Sequence, residues 1–427
     1  MRQPVPSSLL LAYVSLLLSA CALSAAEWNQ YHGANSDNKA SEPLASAAWL
    51  SKAASQAWKV KTPLGFSSFS VSGGKAFTLV GRTDEDGLQR EVCIALDAKS
   101  GKELWSAELD RLDYGHDGGN SGASDNKGGD GPRSTPSAAD GKVWAYDADM
   151  NLHCFNAANG KILWKVSVLK AHAGRAIKWK NASAPLLEGN KIIVYGGGAG
   201  QSFLAFNKDT GALLWKSGDE TSTHATPIAA TIHGVRQVIF FCTSGLVSVD
   251  AGSGKELWRR KFRFAVSTAA APIVAGDLVY CSAGYGVGAG LFKIGKSDGT
   301  FTTTEVWRKP NDLINHWSTP VYHDGHLYGM FGFKKYGKGP LQCVELATGK
   351  VKWSQDGYGP GNVILAGDKL LALADTGELA VVAASPKSYQ ELARRKVVDG
   401  KCWSTPVLSD GKVYARSTKE AVCLIAK

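Results

Sequence analysis

The phrase DAKSGKELW (97–105) returns as NAANGKILW (156–164), NKDTGALLW (207–215), DAGSGKELW (250–258) and ELATGKVKW (345–353). A turn that ends in Gly and delivers a Trp, repeated at intervals of about 40 to 60 residues, marks a chain built from stacked units that cannot bury their apolar faces alone. Each copy follows two apolar runs of period two, separated by a DGK- or GDK-type turn and opened by a Thr/Ser–Ala/Thr–Pro tripeptide. The second copy, STPSAADGKVWAYDADMNLHCFNAANGKILW (134–164), contains all of these parts. Four short strands per unit predict a propeller blade, and the alternation excludes a helical solenoid.

The repeated residues have structural duties. Asp or Asn at the start of the phrase caps a tight reversal, and Gly101, Gly160, Gly211, Gly254 and Gly349 supply the positive φ at its end. Trp58, Trp105, Trp164, Trp215, Trp258, Trp307 and Trp353 then fall on outermost strands. There a large flat ring fills the wedge that widens between blades away from the axis, so these are blade-docking residues and not a cofactor box. Pro136, Pro185, Pro227, Pro272, Pro320 and Pro406 open innermost strands, where the first residue can forgo a backbone donor.

Units run at 66–105, 134–164, 183–215, 226–258, 271–307, 319–353 and 359–393, with three more strands at 405–427. The seventh unit is degenerate, since AASPKSYQELARRKVV (383–398) has neither the Gly turn nor the Trp. The last unit lacks a fourth strand, and QAWKV (56–60) is a spare one at the other end of the chain. Using it there closes the ring and removes the exposed edges of a linear array. The expectation is an all-β, eight-bladed propeller of four-stranded antiparallel blades, a single domain over 27–427 with blades from about residue 66.

Ahead of it, residues 1–26 read as a signal peptide with cleavage after Ala26: one basic residue, Arg2, precedes an apolar run and small residues. LSAC (18–21) also has the form of a lipobox, in which Cys21 would carry a lipid. Both readings place the protein outside the cytoplasm, periplasmic or secreted in the first case and an outer-membrane lipoprotein in the second. Cys21 is the sole expected link to a membrane. Six of the other seven cysteines lie in apolar strand runs, no CxxC or Cys/His spacing occurs, and buried small apolar side chains are expected.

These repeats resemble the pyrroloquinoline quinone (PQQ)-like β-propeller repeat of quinoprotein dehydrogenases and BamB-like assembly lipoproteins. EWNQYHGANSDN (27–38) also resembles the W-P-Q-x-R-G-x-N start of secreted bacterial propellers, with Asn29 in place of Pro and His32 in place of Arg. The resemblance implies the fold directly. It speaks weakly to activity, because the shared residues are those that build blades. A quinoprotein would add PQQ and Ca²⁺, but the adjacent-cysteine disulfide of those enzymes is missing and the chain is short for one.

Function is sought in the loops. Strand alternation puts the DGK and TGK turns at one end of the ring and the longer connections at the other, among them 113–133, 170–181, 219–224, 284–290, 311–317, 331–339 and 401–403. At the channel mouth on that long-loop face stand Arg133, Asn181, His224, His316, Trp317 and Trp403, donors, imidazoles and rings suited to an anionic or aromatic ligand. GYGVGAG (284–290) has no helix after it, so it is not a phosphate cradle. The 113–130 stretch lacks an ordered calcium-ligand spacing, and no serine-nucleophile or zinc-protease motif occurs.

No catalytic residue or metal ligand is assigned, and no cofactor is expected on the main reading. That reading is a non-catalytic binding or assembly propeller, a monomer, taking a protein or envelope component on its long-loop face. The alternatives are a PQQ-dependent oxidoreductase that uses Trp317, Trp403 and Asn181, or an enzyme with His224 or His316 as its base. The net charge of +10 is spread over many blades, so nucleic acid is not indicated.

Overall fold

The computed structural model describes Met1 and residues 26–111, 131–332 and 338–426. The leader and the loop 112–130, on which the signal-peptide, lipobox and calcium readings fall, lie outside the described residues. Eight four-stranded antiparallel sheets form the ring, numbered one to eight in chain order. Blade eight consists of Val407–Ser409, Lys412–Arg416 and Glu420–Ile425, closed by Gln56–Lys61 with Trp58 opposite Cys423. The split blade is thus present as expected. Inner strands start at Ser137, Leu186, Ile228, Ile273, Val321 and Val407, each directly after one of the six prolines.

The core lies between sheets. Phe77, Leu79, Cys93, Ala95 and Trp105 of blade one, for example, pack on Ala138, Val143, Ala145 and Phe155 of blade two. The seven described cysteines are buried free thiols in this apolar packing.

The recurring phrase is a docking device between neighbours. The indole Nε1–H of each Trp donates to the carbonyl that opens the turn of the next blade: Trp58 to Ala98 at 3.2 Å, Trp105 to Ala157 at 3.0 Å, Trp164 to Lys208 at 3.3 Å and Trp215 to Ala251 at 3.3 Å. Trp307 and Trp353 do the same to Leu346 and Ser385. The Gly of that turn lies flat against the ring, so a Cβ on Gly254 would come within 2.5 Å of Trp215. One phrase therefore contributes both halves of a joint, the Trp for the blade ahead and the carbonyl and Gly for the blade behind. Trp258 departs from the rule and donates to Gln237 in its own blade at 2.6 Å. The reason is that Gly288–Ser297 and Thr300–Lys309 of blade five meet in a tight Asp298–Gly299 reversal and offer no receiving turn.

A second ring of bonds lies at the axis. A hydroxyl beside four of the inner-strand starts accepts a backbone N–H from the preceding blade: Ser68 to Thr135, Ala184 to Thr226 and Ala271 to Thr319, each at 2.9 Å, and Thr405 to Ser68 at 2.7 Å.

Residues 26–44, which carry no strand periodicity, run inside the channel. Trp28 bridges Val71 of blade one, Asn29 accepts from Ala138 of blade two, and Asn38 and Ala40 bond Leu365 of blade seven. The Gln30 side chain reaches Leu187 of blade three, and Asn38 reaches Thr319 of blade six. Ser409 of blade eight bonds Ala26, which places the start of the segment at the short-turn face. A cavity of about 340 Å³ remains beside blades four and five, lined in part by Asn35, Asp37, Lys39 and Tyr322.

The chain just beyond serves blade seven. Its fourth strand, Glu391–Lys396, has Ala393 at the Trp position, and Trp49 and Leu50 share its apolar cluster. Arg395 fixes this link through a 2.9 Å bond to the Lys52 carbonyl.

Candidate ligand site at the channel mouth

The residue three before the inner-strand Pro occupies the same place in blades two, four, six and eight: Arg133, His224, Trp317 and Trp403. Phe66 of blade one stands at the matching position. It lies outside the six residues expected from sequence because its blade has Phe69 where the others have Pro. Aligning FSSF (66–69) with the tripeptides would have found it.

The structure groups these side chains in two sets. In one, His316 lies 4.7 Å from Trp317, Trp317 lies 5.2 Å from Trp403, and Trp403 lies 4.5 Å from Phe66, all between ring centroids. Tyr285 meets His316 edge-on at 5.3 Å, and the Lys401 ammonium stands 4.6 Å over Trp403. Blade six thus reaches blade eight across the mouth. The indole Nε1 atoms of Trp317 and Trp403 are buried with no hydrogen-bond partner among the described residues. Tyr285 and Lys401 sit in loops marked out by length alone, without a signal for the individual residue.

The second set surrounds Arg133, whose Nη1 donates to the Trp179 carbonyl at 2.8 Å. The His224 Nε2–H donates to the Lys180 carbonyl at 2.9 Å, and its Nδ1 accepts from the Ser267 hydroxyl at 2.6 Å. Trp179 and Lys180 take successive left-handed conformations, φ +65° and +60°, which deliver both carbonyls to the site. Phe66 joins the two sets through its N–H bond to the Pro132 carbonyl. Asn181 plays a different part. Its amide donates to the Tyr146, Asp147 and Ser183 carbonyls, and its oxygen accepts from the Ser183 N–H, so it staples the loop.

Electrostatically the mouth is cationic. Burial, and then the charge of Arg133, holds His224 down at about 4, so it is neutral at ordinary pH with both ring nitrogens engaged. Two acidic groups, Glu91 and Asp147, lie deeper. Glu91, whose carboxyl is pushed well above its usual range by burial and by Asp147, accepts from the Ala148 N–H, and Asp147 is paired with His153 at 2.9 Å. These side chains are fully buried. No group of three or more His, Cys, Asp or Glu that could hold a metal occurs among the described residues.

His32, in the channel segment, is likewise held at about 4 by burial, against the ordinary 6.5. Because both imidazoles are depressed, the unfolded chain binds more protons than the native one between about pH 6.5 and 4. Their contribution to stability is complete above that window and declines as the pH falls through it, by about 1.4 kcal/mol per pH unit for each imidazole. Urea midpoints at pH 7 and pH 5 measure the loss, and His32→Gln and His224→Gln should each reduce the difference.

Comparisons with known proteins follow this geometry. The family described as outer membrane protein assembly factor BamB matches residues 89–355. A tetrathionate hydrolase of Acidithiobacillus ferrooxidans is 22% identical over 287 residues, 66% of this chain and 49% of that protein, so the chain spans about half the length of this curated relative. Among solved structures, BamB from Moraxella catarrhalis superposes with a TM-score of 0.57 at 14% identity, covering 86% of this chain and 96% of that one. Quinohemoprotein alcohol dehydrogenase from Comamonas testosteroni gives 0.65 at 13% identity, covering 94% and 80%. At such identities the likeness is one of fold.

Proposed function

The chain belongs to the family of the outer membrane protein assembly factor BamB, and from that premise we propose that it is a non-catalytic binding propeller of the extracytoplasmic space. It takes a protein or envelope component on its long-loop face, with the channel mouth as the anchor point. The observation that carries this reading is the blind mouth: residues 26–44 line the channel below it, and the groups around it are rings, cations and a neutral, fully engaged His224. Such groups suit an anchor for an anionic or aromatic side chain.

A quinone held with Ca²⁺ would need oxygen ligands beside its stacking surface. The mouth presents hydrogen-bond donors instead: Arg133, Lys401 and two indole N–H groups. The described residues do not fit a calcium-held quinone. A second reading draws on the two unpartnered indole donors: a small planar or sulfur-bearing anion, in line with the tetrathionate hydrolase relative.

The test has two arms. Purified protein is assayed with PQQ, Ca²⁺, alcohols, sugars and an artificial electron acceptor, and separately with tetrathionate; no turnover is expected. In cells lacking the protein, Arg133→Ala with Trp317→Ala should restore outer-membrane protein levels less well than wild type at equal abundance. Dye reduction or tetrathionate loss that Trp317→Ala abolishes would overturn the binding role.

A further inference from the structure

The outer strands of the blades are sheet edges, and four of the eight carry a charged guard two residues before the Trp position. Glu103 is clasped by Arg82 at 3.0 Å, Glu256 by Arg259 at 2.6 Å, Glu305 by Arg260 at 2.8 Å and Glu391 by Arg394 at 2.8 Å. Blade eight has Gln56 there, and blade six has Val351 between Lys350 and Lys352. Such charges keep an apolar edge from acquiring a partner.

Blades two and three depart from this pattern side by side. Ile162 and Leu163 are 47% and 45% exposed, and Leu213 and Leu214 are 40% and 44% exposed. The ladder slips at both places, leaving Leu163 and Leu214 as the extra residues of bulges, which turn adjacent side chains outward and blunt the edge for main-chain pairing. Trp164, which joins these two blades, is itself partly exposed beside them, whereas Trp105 and Trp215 are buried. Lys161, Lys165 and Lys216 stand exposed around the four aliphatic side chains. An apolar strip ringed by lysines, on two adjacent blades that carry Ile162 and Leu213 at the guard position, has the composition of a protein-docking surface.

We propose that the rim of blades two and three docks an amphipathic segment of a partner protein, apolar on one face and acidic along its margins. The apolar face covers Ile162, Leu163, Leu213 and Leu214, and the carboxylates meet Lys161, Lys165 and Lys216. The bulges direct recognition to side chains, so the bound segment is a helix lying across the strip. This surface is separate from the channel mouth and stands independently of the role proposed for it.

The experiment uses the whole mature protein and two labelled synthetic helices that share a Leu face, one rimmed with Glu and the other with Lys, read by fluorescence anisotropy. The Glu-rimmed helix should bind at least tenfold more tightly, and the difference should shrink with added salt. Leu163→Glu with Leu214→Glu should weaken binding at least tenfold with an unchanged melting transition. Leu104→Glu on guarded blade one, and Arg133→Ala with Trp317→Ala at the mouth, should leave it unaltered. No binding by the Glu-rimmed helix, equal binding of both helices, or indifference to the paired Glu substitutions would overturn the proposal. So would self-association in sedimentation that those substitutions abolish, since the strip would then belong to a second copy of the chain.

Discussion

A chain lacking residues 27–61 yields no cooperatively unfolding propeller. That deletion removes Trp28, Leu44, Trp49, Leu50 and Trp58, all nearly or wholly buried in one cluster with blades seven, eight and one. It also strips the ladder from Glu420–Ile425 and leaves blade eight with an open edge. Truncating one large buried aromatic costs about 3–5 kcal/mol, and three are lost, against a total stability of about 5–15 kcal/mol for a typical domain. The expected result is the absence of a sharp melting transition together with aggregation on size exclusion. Adding a peptide of residues 27–61 during refolding should restore the transition. A truncated chain that melts cooperatively within a few degrees of the whole protein would show that the ring does not depend on its closure.

Gly254→Ala should cost about 2–4 kcal/mol, the sum of a left-handed backbone (φ +74°) that an L side chain resists and a methyl forced to 2.5 Å from the Trp215 ring. Trp215→Ala should cost about 3–5 kcal/mol. The two belong to one joint, so the double substitution should fall short of additivity by about 1–2 kcal/mol, because the new methyl no longer meets a ring. Gly141→Ala is the control: its φ is +71° but a Cβ there has nothing within 4 Å, so only the backbone cost of about 1 kcal/mol remains. Denaturant titrations of the four variants measure all of this, and strict additivity would mean that Gly254 and Trp215 stabilise the ring separately.

What could be read from the chain was whatever its repetition displays. Proline ahead of six inner strands and Trp on seven outer strands are local signals, and their spacing leaves room for little but a blade. The closing strand was legible for the same reason, since QAWKV matches the repeat although it lies far from its partner. The joint itself was half visible. The turn glycines were expected to provide positive φ, yet their closer constraint is the ring of the preceding blade, which no single repeat reveals.

The channel segment was not legible beyond its resemblance, because its bonds from Ala26 to Ala40 go to six different blades and leave no period in the sequence. At the mouth, Arg133, His224, Trp317 and Trp403 were found because they precede the tripeptide. Asn181 was grouped with them by position, but its amide turned inward to three carbonyls. The choice between facing a channel and facing one's own loop depends on backbone carbonyl placement, which residue type does not encode.

The pairing of Gln56–Lys61 with Glu420–Ile425 also sets a schedule. Lys59 and Glu420 meet across 361 positions of chain, so this contact carries one of the largest loop-closure entropies among those that hold the ring. During synthesis the strand that finishes the circle is made before any complete blade, and it waits until the last residues arrive. Until then the growing protein is an arc with two raw apolar faces, and the interval in which it needs protection from its neighbours lasts as long as translation of seven blades.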